Sequence, residues 1–209
     1  MTLDENSKEN SPSTVVSEQL AIVQLCDLIE IYGDNEKVLE AELTKFTCKR
    51  NHDVQTFLHR KALQFEKTHK SRTYLALSEA TLTSESKELD VIGYFTLSLK
   101  HLNLGADISK TKQKELNGLF LPQGNVVVGY LIGQLGKNDT YCEAHIGSRL
   151  LDAALGILQG QAQRAVGGRF VIIECYPDEK LIEFYQRNGF YLLQVDPEDG
   201  MAQLVCRIP

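Results

Sequence analysis

Two segments of the chain combine residue types and spacing that could do chemistry. The first, residues 132–151 (IGQLGKNDTYCEAHIGSRLL), predicts a strand that ends near 135–137, a loop, and a helix that begins near Ile146 and Gly147. The start of a helix exposes unpaired backbone N–H groups and carries about half a positive charge. Because a small residue there lets the backbone approach a diphosphate closely, the segment suits a cofactor that contains ADP. The glycines of the strand do not form GxGxxG, so the dinucleotide-binding fingerprint is absent.

The second segment, residues 178–190 (DEKLIEFYQRNGF), predicts a short helix that follows a buried strand at 170–175. Asp178 can cap the start of this helix, and Gly189 is typical of the residue after its end. The helix carries Tyr185, whose phenol could act as a general acid within hydrogen-bond distance of a leaving group. A tyrosine that only packs on an amphipathic helix is the alternative interpretation.

The order of residues in this second segment resembles a family signature. Asp178 is followed by Tyr185, Gly189 and Phe190 at the spacing of N-x-x-A-x-x-x-Y-x-x-x-G-F, which is typical of the GNAT N-acetyltransferases. The resemblance implies that an amine attacks acetyl-CoA directly and that Tyr185 protonates the departing coenzyme A thiolate. It also implies an α/β fold of the α+β type, with a mixed, mainly antiparallel and twisted sheet flanked by helices. Beside residues 135–137 the strands would splay and form the acetyl-CoA cleft.

The first segment is then similar to the family's coenzyme A loop, Q/R-x-x-G-x-G/A, over residues 142–147. Cys142 stands where Gln or Arg is usual and His145 stands at the first Gly, whereas Gly147 keeps its type. The resemblance implies that backbone N–H groups of this loop bind the pyrophosphate and that the strand at 135–137 pairs with the pantetheine arm. Backbone amides near Leu135 would polarise the thioester carbonyl. The implied cofactor-binding residues are Leu135, Gly136, Lys137, Cys142, Glu143, Ala144, His145, Ile146, Gly147, Ser148 and Asp178.

The similarity extends upstream, so that it covers residues 43–208. Residues 46–48 (FTC), 57–58 (FL), 61–63 (KAL) and 71–74 (SRTY) are similar to a bacterial GNAT branch. That branch includes toxins that acetylate the free amine of aminoacyl-tRNA. The resemblance therefore implies an acceptor that is a small-molecule, peptide or aminoacyl-tRNA amine, and it makes an antitoxin a candidate partner.

The charge of the chain is unevenly distributed around a formal net charge of −6. Residues 1–44 hold ten acidic and two basic side chains, whereas residues 45–72 hold eight basic and two acidic ones. A basic segment is most often a solvated helix face, but clustered Lys and Arg also supply salt-dependent affinity for phosphate backbones. In GNAT proteins the first two helices help to form the acceptor side. The basic residues that the resemblance places there are Lys49, Arg50, Arg60, Lys61 and Arg72.

Composition and targeting signals limit the remaining function classes. No apolar run approaches the roughly 18 residues that span a bilayer, and the polar N-terminus lacks the apolar core of a signal peptide. We therefore expect a cytoplasmic protein with no membrane partner. The five cysteines are scattered without metal-ligand spacing or a disulfide framework, so no metal site is predicted. We expect a disordered tail at 1–13 and a single GNAT domain at 14–209.

Three functions remain open from the sequence. The first is acetyl transfer to a small-molecule or peptide amine, and the second is toxin-type acetylation of aminoacyl-tRNA. The third is a non-catalytic module that binds coenzyme A, which the substitutions at Cys142 and His145 favour. A second copy of the chain is a further candidate partner. Glu143 or Glu174 could activate the amine through water, although a solvated carboxylate explains each of them at least as well.

Overall fold

Seven strands form one mixed sheet in the structure, a computed structural model that describes residues 20–78, 88–117, 125–142 and 145–208. The strands are β1 Leu20–Gln24, β2 Arg72–Ser78, β3 Val91–Asn103, β4 Val126–Lys137, β5 Phe170–Cys175, β6 Tyr191–Val195 and β7 Ala202–Arg207. Their order across the sheet is β1-β2-β3-β4-β5-β7-β6. All neighbouring pairs are antiparallel except β4 and β5, which are parallel.

Helices cover both faces of this sheet. The described α-helices are α1 Leu25–Tyr32, α2 Glu36–Leu43, α3 His52–Arg60, α4 Ala62–Lys67, α5 Lys110–Asn117, α6 Ile146–Ile157, α7 Gln163–Val166 and α8 Glu179–Arg187. A parallel pair of strands needs a crossover connection, and α6 with the turns that follow it supplies that connection between β4 and β5. Within the described ranges, no helix has both the length and the apolar character needed to cross a membrane.

The predicted fold class is confirmed: the sheet is mixed, mainly antiparallel and flanked by helices. Asn51 caps α3, because its side-chain oxygen accepts hydrogen bonds from the N–H groups of Asp53 and Val54 at 3.1 and 3.3 Å. The apolar residues between 54 and 65 belong to two helices, since α3 ends at Arg60 and α4 begins after Lys61. The predicted disordered tail at 1–13 lies outside the described residues.

Three apolar clusters hold the helices on the sheet. The α6 cluster lies on one face, under α6 and α8, and includes Ile132, Leu150, Ala154, Ile173 and Tyr185. The opposite face, here the α3 face, carries two separate clusters. The α3 cluster packs α1–α4 against β2 and β3, and the α5 cluster packs α5 against β3, β4, β5 and β7.

A buried carboxylate joins β1, α4 and β2. Glu66 is 2% exposed. Its two oxygens accept hydrogen bonds from the backbone N–H of Thr73 at 2.7 Å and from the guanidinium of Arg72 at 3.0 Å. The side-chain amide of Gln24 donates a further hydrogen bond at 3.3 Å. The Arg72 side chain therefore neutralises a buried acid, which gives it a structural role.

The acidic and basic segments of the sequence pack against each other in the same region. Lys45 forms an ion pair with Glu42 at 2.8 Å, and Lys67 forms one with Glu36. Both carboxylates belong to the acidic segment and both lysines belong to the basic one. Part of the charge asymmetry along the chain is therefore compensated inside the fold, and it does not by itself indicate a charged partner.

Replacing Glu66 by Ala should lower the free energy of unfolding by about 2–3 kcal/mol, because the change leaves the buried N–H of Thr73 without an acceptor. Glu36→Ala removes a carboxylate from an exposed ion pair and should cost less than about 1 kcal/mol. Urea denaturation of the two variants and the wild type measures both values. Equal losses in the two variants would contradict the structural role of Glu66.

Candidate functional site

The parallel pair of strands separates part-way along its length. β4 pairs with β5 only from Tyr130 to Ile132, opposite Val171 to Ile173. Beyond this point β4 continues to Lys137 in pairing with β3, and β5 continues to Cys175 in pairing with β7. The described strands therefore leave a gap between residues 133–137 of β4 and residues 174–175 of β5. The predicted splay beside residues 135–137 is confirmed.

A β-bulge lies where the strands part. Thr96 of β3 pairs with Gln134 and Leu97 pairs with Ile132, so Gly133 is the extra residue on β4. A bulge leaves one residue out of the ladder and bends its strand, and bulges are frequent beside active sites. Sequence reasoning missed this position. The available signal was a glycine in the interior of an apolar strand, which often marks a bulge.

Gly136 has a packing reason to be glycine. A Cβ atom at this position would overlap the Val54 side chain of α3, and the ring of Phe46 would lie 3.8 Å away. The close approach of α3 to β4 therefore depends on the missing side chain. Gly136 was predicted as a cofactor-binding residue, and the structure adds a separate requirement for glycine there.

Asn138 fixes the loop that follows β4. It is 6% exposed, and its backbone N–H and side-chain amide donate to the carbonyls of Ile92 and Val91 at 2.8 and 2.9 Å. Its side-chain oxygen accepts a hydrogen bond from the Thr47 hydroxyl at 3.0 Å. The loop is thereby attached to β3 and to the segment between α2 and α3. Sequence reasoning did not single out Asn138, because an asparagine after a strand is also common in simple turns.

The helix of the first segment begins where the sequence predicts it. α6 starts at Ile146, whose side chain is buried in the α6 cluster. His145 precedes the helix in the left-handed conformation, with a φ of 73°. This conformation favours glycine, which is the family residue at that position of the loop. A Cβ atom on Gly147 would make only ordinary contacts with the Phe184 ring, at 3.5 Å, so core packing does not require glycine there.

The other predicted cofactor-binding residues differ in their surroundings. The ammonium group of Lys137 donates a hydrogen bond to the backbone carbonyl of Tyr141 at 2.8 Å, so its side chain stabilises the loop. Cys142 is exposed and Ser148 is half-buried. Glu143 and Ala144 lie outside the described residues. Leu135 packs against the α6 cluster that contains Ile146 and Tyr185, which brings both predicted segments to one place in the fold.

Asp178 caps α8 as predicted. One of its carboxylate oxygens accepts a hydrogen bond from the backbone N–H of Leu181 at 3.0 Å. The helix ends at Arg187, and Gly189 follows with a φ of 87°, as its place after the helix suggested.

Tyr185 is 6% exposed and packs edge-on against Phe184 and Phe190, with ring centroids 5.0 and 5.9 Å away. Burial raises the pKa of its phenol well above the ordinary value, and the nearby Cys175 thiol raises it further. Burial likewise raises the pKa of the Cys175 thiol to about 11. The phenol therefore keeps its proton at neutral pH. No other described residue makes a hydrogen bond with its hydroxyl, so the proton is not committed elsewhere in the described fold.

No family model matches the chain, and no curated protein does. Solved structures do. A Tyr-to-Phe mutant of KacT is 22% identical over 89% of this chain and 94% of its own, with a TM-score of 0.65. AtaT complexed with acetyl-methionyl-tRNAfMet is 22% identical over 88% of this chain and 94% of its own, with a TM-score of 0.63. AtaTR bound with AcCoA is 23% identical over 88% of this chain and 92% of its own, with a TM-score of 0.61. The chain has the GNAT fold.

The GNAT fold places the observed features around one gap. The bulge at Gly133 lies on the β4 side of the gap, and Cys175 is the last residue of β5 on the other side. The α6 cluster, which contains Tyr185, lies on one face of the sheet at this gap. The start of α6 belongs to the same cluster through Ile146. A ligand with an extended arm and a phosphate end fits this arrangement, because strand edges pair with amides and a helix start binds anions.

The packing role of Gly136 can be separated from any role in ligand binding. Gly136→Ala should lower the free energy of unfolding by about 1–3 kcal/mol, because the new methyl group overlaps Val54. In the double variant with Val54→Ala the two losses should not add, and a double-mutant cycle should show a coupling of about 1 kcal/mol.

Gly156 provides the matched control, because a Cβ there meets nothing within 4 Å on the exposed side of α6. Gly156→Ala should raise the free energy of unfolding by about 1 kcal/mol. Additive losses in the cycle would show that overlap with Val54 is not the reason for glycine at 136.

Proposed function

We propose that this protein transfers an acetyl group from acetyl-CoA to a primary amine, with Tyr185 as the general acid. The observation that carries the proposal is a buried, protonated tyrosine in the cluster beneath the gap where two strands of a GNAT fold part. Among the similar structures, AtaTR is bound with AcCoA and AtaT is complexed with acetyl-methionyl-tRNAfMet. Both support acetyl transfer as the reaction class.

The residues around the gap suit the donor. Backbone N–H groups at the start of α6, beside His145 and Gly147, would hold the pyrophosphate. The free edge of β4 at residues 133–137 would pair with the amides of the pantetheine arm. Acetyl-CoA supplies a thioester that an amine attacks directly. Main-chain N–H groups beside the bulge at Gly133 and near Leu135 would stabilise negative charge on the carbonyl oxygen.

Tyr185 completes the proton balance of the transfer. The amine nitrogen forms a bond to the acetyl carbon while the carbon–sulfur bond breaks. The thiolate takes the phenol proton of Tyr185, and the amine releases one proton to solvent, from which the phenol is reprotonated. The phenol suits this role because burial keeps it neutral at the pH of the reaction.

A second candidate, toxin-type acetylation of aminoacyl-tRNA, is favoured by a specific surface. After Lys45, Lys67 and Arg72 are paired with acids, exposed bases remain in the same segment. They are Lys49, Arg50, Arg60, Lys61 and Lys70. The similar structures include a complex with acetyl-methionyl-tRNAfMet, an AtaT mutant bound to the C-terminus of the antitoxin AtaR, and a KacTA–DNA complex. An antitoxin partner for this chain follows from the same proposal, and association with a second copy stays a prediction.

Tyr185→Phe should reduce the rate of thiol release from acetyl-CoA by about 10²- to 10⁴-fold, because the departing thiolate loses its proton donor. The affinity for acetyl-CoA, measured by calorimetry, should not change. Tyr191→Phe, on the opposite face of the sheet in the α5 cluster, should leave both quantities unchanged. An active wild type that loses nothing in Tyr185→Phe would refute the acid role. Binding of acetyl-CoA without thiol release across a broad panel of amines would favour a non-catalytic module.

Reversing two exposed bases, Arg60→Glu with Lys61→Glu, tests the tRNA proposal. Retention of aminoacyl-tRNA should weaken, and the slope of log affinity against log salt should fall by about one for each phosphate that the variant no longer binds. Lys110→Glu with Lys114→Glu makes the same charge change on α5 and should leave retention unchanged. The absence of any retention at low salt would remove this candidate.

A further inference from the structure

A row of polar side chains crosses the middle of the sheet and is interrupted only by the gap. The residues are cross-strand partners in the register of the sheet. On the β4 side of the gap, here the near side, they are Thr73 of β2, Thr96 of β3 and Gln134 of β4. On the β5 side, here the far side, they are Glu174 of β5, Gln203 of β7 and Gln194 of β6. Strand residues alternate between faces, and Phe95 and Cys175 belong to the α6 cluster. The row therefore lies on the α3 face, opposite Tyr185.

The row separates two apolar clusters. On the α3 face the α3 cluster lies to one side of it and the α5 cluster to the other. A sheet face covered by helices is normally apolar throughout, since polar side chains are costly to bury. The break in the apolar surface coincides with the parting of β4 and β5. On the α6 face, α6 and α8 pack in the cluster that contains Leu135 and Cys175, so we expect a second substrate to approach the gap from the α3 face.

The far side of the row is a connected network. Gln203 is 2% exposed, and its side-chain amide donates hydrogen bonds to Glu174 and to Asp196, both at 2.9 Å. Its carbonyl oxygen accepts a hydrogen bond from the amide of Gln194 at 2.6 Å. Glu174 also forms an ion pair with Lys100 of β3. The Glu174 carboxylate is thus held in place by neighbouring side chains. It differs in this respect from the solvated carboxylate that the sequence left as an alternative.

The charges of this network favour a cationic ligand. The network contains two carboxylates, those of Glu174 and Asp196, and among the described residues only one ammonium group, that of Lys100, is paired with either of them. The side chain of Glu174 is 17% exposed, so it is reachable but poorly screened by water. A positively charged amine that reaches the gap would meet a net negative charge at short range, where the attraction is stronger than in bulk solvent.

The near side of the row holds an unused hydrogen-bonding group. The Thr73 hydroxyl is fully buried, and no hydrogen bond joins it to any described residue. An unpaired buried hydroxyl lowers the stability of a fold. The near side of the row thus contains hydroxyl groups buried within the sheet, those of Thr73 and Thr96, whereas the far side places a partly exposed carboxylate, that of Glu174, at the gap.

We infer that the polar row is the binding surface for the acetyl acceptor, that the acceptor is a cationic primary amine, and that Glu174 holds its ammonium group. The inference rests on the proposed acetyl transfer. The acceptor enters from the α3 face, loses one proton to water, and attacks the thioester from the side opposite Tyr185. Leaving group and nucleophile are thereby kept on different faces of the sheet.

Glu174→Gln tests the inference with two classes of acceptor, amines that are cationic at neutral pH and amines of low pKa that are uncharged there. The KM for cationic amines should rise about 10- to 100-fold, the loss expected for a hydrogen bond to a charged group. The KM for acetyl-CoA and the KM for uncharged amines should stay at the wild-type values. Glu183→Gln, the same change on an exposed position of α8, is the matched control.

Lys100→Gln separates charge from structure, because it removes the cation beside Glu174 and keeps a hydrogen-bond donor. The KM for cationic amines should then be unchanged or lower. If Lys100→Gln raised the KM for cationic amines as much as Glu174→Gln does, the network would act only by stabilising the sheet. The same conclusion would follow if Glu174→Gln raised the KM equally for cationic and uncharged amines. Either result overturns the inference while leaving acetyl transfer intact. A folded wild type that releases no thiol with any amine overturns the proposed function and the inference together.

Discussion

The structure depends on the point at which β4 and β5 part. The strands pair from Tyr130 to Ile132 opposite Val171 to Ile173, and each then keeps only its outer neighbour among the described strands. Backbone groups that face the gap are left without a strand partner, and such groups are costly unless something else satisfies them. The bulge at Gly133 bends β4 at the same place. The sheet is therefore shaped to receive an extended ligand and not to close on itself.

The parting is maintained by packing on both sides of β4. On the α6 face a Cβ on Gly93 of β3 would lie 2.7 Å from Leu150 of α6, and on the α3 face Gly136 admits Val54 of α3. Each glycine lets a helix approach the two strands that carry the bulge. Since interiors are close-packed, a small shift of either helix would be transmitted to the edge of β4. Residues far from the reacting atoms thus set the width of the gap.

The sequence predicts the parts of this site that depend on local pattern. The cap at Asp178, the buried strand β5 and the start of α6 at Ile146 follow from spacing and turn chemistry, and all three are confirmed. What depends on register could not be predicted. Gly133 is a bulge only because β3 and β4 slip by one residue there, and Glu174 meets Gln203 only because β7 lies beside β5. Neither relation leaves a periodic signal in one strand.

Charge was the least predictable property, and it bears most on the acceptor. The basic segment is plain in the sequence, but the fold pairs Arg72 with a buried acid and leaves Arg60 and Lys61 exposed. In the hydrogen-bonded network that contains Glu174 the balance is reversed, since Glu174 and Asp196 are two acids and Lys100, which is paired with Glu174, is the one base among the described residues of the network. A small cationic amine would need only this acidic surface. An aminoacyl-tRNA carries both a cationic amine and a phosphate backbone, so it would use the acidic surface and the basic one together. Salt would therefore weaken the binding of the tRNA much more than the binding of a small amine.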